Sequence, residues 1–170
     1  MEREASLFEF TETIEIDRTP GRVWEVLSDI ERWWEDSNPE HDSLEVLDTD
    51  RGLEVGTRLR IHERIAGIPG VAEGEVTRLK EHRAITWEAP AAHYRWFGIP
   101  LTVAEAVTWT IEPTEPGSSR VAAHVWAVFP GGFFGRLLEW VFRRLLRGVA
   151  KDRAHARTEL RYLKGLIEAS

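Results

Sequence analysis

The sequence predicts an α+β fold: a curved antiparallel sheet of about seven strands wrapped around a long C-terminal helix, with two short helices after the first strand. Three observations predict it. Residues 8–16 alternate apolar and polar, short strand-like segments separated by turn residues fill 41–129, and a stretch with helical periodicity and no proline closes the chain. Residues 1–170 read as one domain, long enough for one core and too short for two ordinary ones.

In the first strand Phe8, Phe10, Ile14 and Ile16 share a face and Glu9, Thr11, Thr13 and Glu15 take the other, as in a half-buried strand. RTPGRVWEVLSDI then offers Thr19 as a cap and Pro20 at the first helical position, with Val23, Trp24, Val26 and Leu27 at helical spacing. Ser28 and Asp29 can recap the chain for a second short turn, which brings Trp33 and Trp34 to its end before the breaker SNPEH. The segments SLEVLD, TRLRIHERI, VAEGEVTRL, AITWEA, LTVAEAVTWTIE and RVAAHVWAVF follow. Turn signals such as TDRG, AGIPG and PTEPGSS separate them, the pattern of an antiparallel meander. Between two of these strands, 93-HYRWFGIP-100 reads as a loop carrying Tyr94, Trp96 and Phe97, aromatics placed to gate an interior or to pack beneath the loop. From Phe133 onward the chain reads as one helix. Phe134, Leu138, Val141, Leu145 and Val149 form its apolar stripe, Leu163 and Ile167 continue it, and Asp152, His155 and Glu159 fall on or beside it.

Composition narrows the function. Hydrophobic residues make up 42% and charged residues 30%, the balance of a soluble globular chain. A net charge of −7 argues against a polyanion binder, so no nucleic-acid partner is expected. Without cysteine there is no disulfide, thiolate nucleophile or thiolate metal site. MEREASLFEF lacks the features of a signal peptide and no apolar run approaches the roughly 20 residues that cross a bilayer, so a cytoplasmic location is expected. Eight tryptophans against one methionine suit a core and the walls of an apolar pocket alike.

Polar residues in phase with apolar ones are the candidates for chemistry. Glu12 shares a face with Phe10 and Ile14, Glu63 with Leu59 and Ile61, and Glu105 with Val103, Val107 and Trp109. On the last strand both faces are apolar, and the set Ala122, His124, Trp126 and Val128 is taken as inward. A buried carboxylate must be protonated, paired or wet, so each alternative implies a polar hollow. A bulge that moved a strand by one residue would instead return its glutamate to solvent. The ligand-binding candidates are Glu12, Trp34, Glu63, Trp87, Trp96, Trp109, Trp126, Asp152 and His155, and the catalytic candidates are His124 and Glu105 as a general acid/base pair. No histidine–carboxylate spacing of the HExxH kind occurs, and neither a metal nor another cofactor is expected.

The segments 14-IEIDRTPGRVWEVLSDIERWW-34 and 74-GEVTRLKEHRAITWE-88, with the long closing helix, resemble the START-like (SRPBCC) superfamily, particularly its polyketide cyclase/dehydrase-like branch. The resemblance spans almost the whole chain. It implies a helix-grip fold, with the two short helices closing one end of the sheet, one indole of the Trp33–Trp34 pair under that corner and the other at the mouth of a cavity. It leaves activity open, since such proteins include lipid and hormone binders, aromatase/cyclases, coenzyme-Q binders and chaperone activators. The leading expectation is a monomer or homodimer holding a small apolar, aromatic, polyketide-like or lipid-like ligand between sheet and helix. An alternative is a metal-free cyclase or dehydratase in the same cavity. A third reading is an interaction module docking on a partner or membrane through Arg136, Arg143 and Arg147, a face otherwise read as solvated.

Overall fold

The structure, a computed structural model, describes residues 6–47 and 52–170. Strict alternation builds β1 (Ser6–Ile16), which turns Phe8, Phe10, Glu12 and Ile16 inward and leaves Glu9, Thr11, Thr13 and Glu15 exposed. The Thr19 hydroxyl accepts the Arg22 N–H at 3.4 Å and Pro20 opens α1 (Pro20–Leu27), as capping chemistry requires. Ser28 donates back to the Trp24 carbonyl, so the following turn, α2 (Ile30–Trp33), starts at Asp29 without a side-chain cap.

The meander follows as β2 (His41–Val46), β3 (Arg58–Ile65), β4 (Ile68–Lys80), β5 (Ala84–Trp96), β6 (Ile99–Pro113) and β7 (Ser119–Phe129). All neighbours are antiparallel in the order β1-β7-β6-β5-β4-β3-β2, so β1 and β2 form opposite edges and α1 with α2 carries the chain between them. The turn expected at TDRG lies mostly outside the described residues.

The aromatic loop is corrected by the course of β5. The strand runs through Pro90 to Trp96, and its pairing with β6 slips between Ala89 and Ala92. A bulge there changes the inward parity: Ile85, Trp87 and Ala89 are buried before it, Ala92, Tyr94 and Trp96 after it. Tyr94 and Trp96 are therefore strand residues facing the interior. Only Phe97 remains at the tip, 87% exposed beside Gly98.

The single C-terminal helix is likewise corrected. Helix α3 (Phe133–Trp140) passes into a wide turn over Val141–Leu145, Arg147 takes a left-handed φ of 52°, and α4 (Gly148–Glu168) starts afresh. The Phe142 ring lies on Gly148, where a Cβ would come within 2.4 Å of it. The expected apolar stripe divides accordingly: Leu138 is buried, whereas Phe134 and Leu145 stand at 54% and 64% exposure. Arg143 is tied to Glu139 at 2.7 Å and to the Leu7 carbonyl at 2.9 Å. Along α4, Asp152, His155, Ala156, Glu159, Leu160, Leu163 and Ile167 are buried against the sheet. No helix among the described residues is long and apolar enough to cross a membrane.

Candidate functional site

Between the concave face of the sheet and α4 lies a cavity of about 120 Å³. Its wall is aromatic, from Trp34, Trp87, Tyr94, Trp96 and Trp109, and its polar lining is Glu63, Glu105, Asp152, His155 and Glu159. The two adjacent indoles divide their work. Trp33 is fully buried under the corner, donating from Nε1 to the Leu27 carbonyl at 3.2 Å and meeting Trp109 edge-on at 5.9 Å. Trp34 lines the cavity and stacks on His41.

Four enclosed side-chain atoms have no partner among the described residues: Nε1 of Trp87, Trp96 and Trp109, and Oε1 of Glu105. Each belongs to a residue of the cavity lining. A buried donor or acceptor left unpaired costs about 1–3 kcal/mol. The other oxygen of Glu105 accepts the Tyr94 hydroxyl at 2.7 Å. Burial raises the Glu105 carboxyl to about 7, the Tyr94 bond pulling against this and the charge of Asp152 adding to it. Burial raises Asp152 to about 7 as well, opposed by His155 and helped by Glu159. Tyr94 is pushed well above its ordinary range by burial and by Glu105.

At one end of the cavity two histidines and two glutamates converge. Nε2 of His41 lies 2.9 Å from Nε2 of His155 and 2.9 Å from Oε1 of Glu159, and His155 Nε2 is 3.1 Å from the same oxygen. Glu63 Oε2 stands 3.7 Å from both imidazole nitrogens. On the far side of each ring, His41 Nδ1 donates to the Trp34 carbonyl at 2.5 Å and His155 Nδ1 meets Glu40 at 3.0 Å. His41, His155 and Glu159 form a group whose donor atoms all lie within 4.8 Å of one another, close enough to share a metal ion. Burial works against charge on His155, yet Glu159, Glu63 and Glu40 outweigh it and lift the imidazole to about 10. Burial would likewise raise Glu159, but the two histidines hold it at about 2. Glu63, dominated by burial and by Glu105, is pushed well above the carboxylate range.

Residues 8–159 match the model of the family described as polyketide cyclase / dehydrase and lipid transport. The chain belongs to that family. This polyketide cyclase / dehydrase family member has the START-like helix-grip fold. It superposes on the Zhui aromatase/cyclase of Streptomyces sp. R1128 with a TM-score of 0.66 at 16% identity, covering 96% of this chain and 94% of that one. A START superfamily protein of Mycobacterium smegmatis gives 0.61 at 19% identity, covering 95% and 97%. A truncated norcoclaurine synthase of Thalictrum flavum gives 0.66 at 14%, covering 98% and 97%. At these identities the likeness is one of fold. No curated protein matches the sequence.

Of the residues singled out from the sequence of this family member, Trp34, Glu63, Trp87, Trp96, Glu105, Trp109, Asp152 and His155 are brought together around the cavity. Glu12 points inward but not into the cavity. The flank of α4 covers it, and Arg153 and Arg157, one helical turn apart, bind its carboxylate at 2.6 and 2.7 Å. His124 is a correction: its ring lies on the outer face of the sheet, 40% exposed, with Thr11 at 2.9 Å and Glu9 at 3.5 Å. The inward set of β7 is Val121, Ala123, Val125, Ala127 and Phe129, because Val125 pairs across Phe10 on one side and Val107 on the other. Trp126 accordingly starts from the outward set and borders both the cavity and an open groove lined by Arg58, Glu73 and Glu75. His41 and Glu159 were absent from the candidate list. His155 and Glu159 at i, i+4 share one helix face, a signal present in the sequence, but the partner at His41 is 114 residues away.

Proposed function

We propose that this protein holds a small, largely apolar molecule with oxygen atoms on its rim in the cavity between the sheet and α4. The observation that carries this reading is the set of unpartnered indole N–H groups of Trp87, Trp96 and Trp109 around a hollow that also receives the free oxygen of Glu105. Indole N–H groups only donate, so their complement is a carbonyl, phenol or ether oxygen, while Glu105 suits a hydroxyl or a shared proton. A volume of about 120 Å³ favours a single aromatic ring over an acyl chain, since apolar cavities of about 150 Å³ take up benzene. The family's description, and relatives that include an aromatase/cyclase and a norcoclaurine synthase, agree with a ring-bearing guest.

The test is thermal denaturation of the purified protein with phenol, acetophenone and toluene as probes. Oxygen-bearing rings are expected to raise the Tm more than toluene, and Trp109→Phe, which keeps the ring and removes the donor, is expected to shrink that difference. If no ring compound shifts the Tm at millimolar concentration, the reading fails.

A proton-transfer enzyme is the second reading, favoured by Glu105 and Asp152 lying near 7, where a carboxyl both gives and takes protons. With His124 on the outer face, the acid/base role passes to these two carboxyls. Glu105→Gln separates the readings: a binder loses affinity modestly, whereas an enzyme loses turnover by roughly two to four decades.

A further inference from the structure

We propose that His41, His155, Glu159 and Glu63 form a binding site for one divalent transition-metal ion, of the zinc or cobalt type, which pins β2 and β3 to α4 at the end of the cavity.

The Trp34 carbonyl only accepts, so Nδ1 of His41 carries the hydrogen between them. Glu40 as a carboxylate also only accepts, so Nδ1 of His155 carries its hydrogen too. A ring in its neutral form is thereby fixed in the tautomer that leaves Nε2 bare. The two Nε2 atoms lie 2.9 Å apart and 2.9 and 3.1 Å from one carboxylate oxygen, a contact bridged by the proton that His155 holds. A metal ion at its centre would take the place of that proton.

Four ligands at about 2.0–2.1 Å around a tetrahedral ion stand roughly 3.3–3.4 Å from each other. The distances from His41 and His155 to each other, to Glu159 and to Glu63 run from 2.9 to 3.7 Å and bracket that value, with Glu63 standing outside the group of three whose donor atoms all lie within 4.8 Å of one another. The donors come from three elements and are placed by the fold: His41 pairs with Glu63 across β2 and β3, and His155 and Glu159 are one turn apart on α4.

Each imidazole is held from behind, by a backbone carbonyl and by a carboxylate, the arrangement that orients metal-bound histidines. Trp34 stacked on His41 locks the ring plane. With the protons of His155 and Glu63 released, two carboxylates and two neutral imidazoles balance a charge of +2, and mixed nitrogen and oxygen donors select zinc or cobalt over magnesium or calcium. Glu63 drawn in as the fourth ligand closes the site and gives it a structural role. Three of the four residues also line the cavity, which gives the ion a path in.

The experiment uses the full chain, stripped with a chelator and titrated with Co²⁺ and Zn²⁺ in the absence of any organic probe, so its result is separate from that of the ring-compound test. One saturable equivalent per chain is expected, with the visible bands of four-coordinate Co²⁺ and an X-ray absorption spectrum of the Zn²⁺ form showing two imidazoles. Glu40→Gln, a change at a partly exposed residue behind His155, should weaken binding about 10–100-fold. His155→Gln should abolish the saturable equivalent. A folded wild-type chain that takes up no equivalent, a spectrum with fewer than two imidazoles, or undiminished binding in folded His155→Gln would each overturn the proposal. The wild-type titration and spectrum decide even where His155→Gln does not fold.

Discussion

Tyr94 donates a 2.7 Å hydrogen bond to one oxygen of Glu105 and leaves the other oxygen of that carboxyl enclosed and unpartnered. The pair joins β5 to β6 across the cavity wall and makes Glu105 both anchored and available. Its protonation therefore bears on stability and on what the cavity accepts.

Glu105 gives a pH-dependent prediction. The folded protein holds its proton up to about 7, whereas the unfolded chain releases it near the ordinary 4.5. The folded state binds more protons between those values, so this group lowers stability as pH rises from about 4.5 to about 7, by a total on the order of 3 kcal/mol. Glu105→Gln is expected to be close to wild type at pH 4 and more stable than it at pH 8. Urea unfolding at the two pH values checks this.

The Tyr94 ring lies over Gly70 on the neighbouring strand, where a Cβ would come within 2.4 Å of it. Gly70→Val is expected to displace the ring, break its bond to Glu105 and cost about 1–3 kcal/mol. Denaturant unfolding measures the loss, and Gly67→Ala, with open space but a left-handed φ of 78°, serves as the contrasting strain-only variant.

Glu12 titrates in the opposite sense. Burial alone would raise its carboxyl, but the bonds and charges of Arg157 and Arg153 outweigh burial and hold it below 4.5. Its contribution is present above the unfolded value and is lost as pH falls through the lower folded one. Both guanidinium groups are 43% or more exposed, so the effect at neutral pH is about 1 kcal/mol or less. Glu12→Gln should therefore be slightly less stable than wild type at pH 7, by a difference that shrinks as pH falls below 4.5, in thermal or urea unfolding.

The legible parts of the sequence were those where periodicity has one solution. Phe8 to Ile16 alternate without ambiguity, and the in-phase positions of Glu12, Glu63 and Glu105 all proved to be inward. RVAAHVWAVF offers apolar residues on both faces, so its orientation is set by what β1 and β6 place opposite it. Thr11 supplies a partner for His124, and Trp126 borders the outer groove, neither of which strand parity alone reveals. The bulge between Ala89 and Ala92 moved Tyr94 and Trp96 from an expected loop to the cavity wall. His41 read only as part of a helix breaker, because its role depends on three residues contributed by β3 and α4.

The most direct measurement is the set of indole N–H resonances in a ¹H–¹⁵N spectrum during titration with phenol. Trp87, Trp96 and Trp109, whose N–H groups have no partner among the described residues, are expected to shift together and saturably. Trp33, bonded to Leu27, and Trp140, 53% exposed on α3, should stay in place. Unmoved cavity indoles, or shifts confined to Trp140, would contradict this expectation.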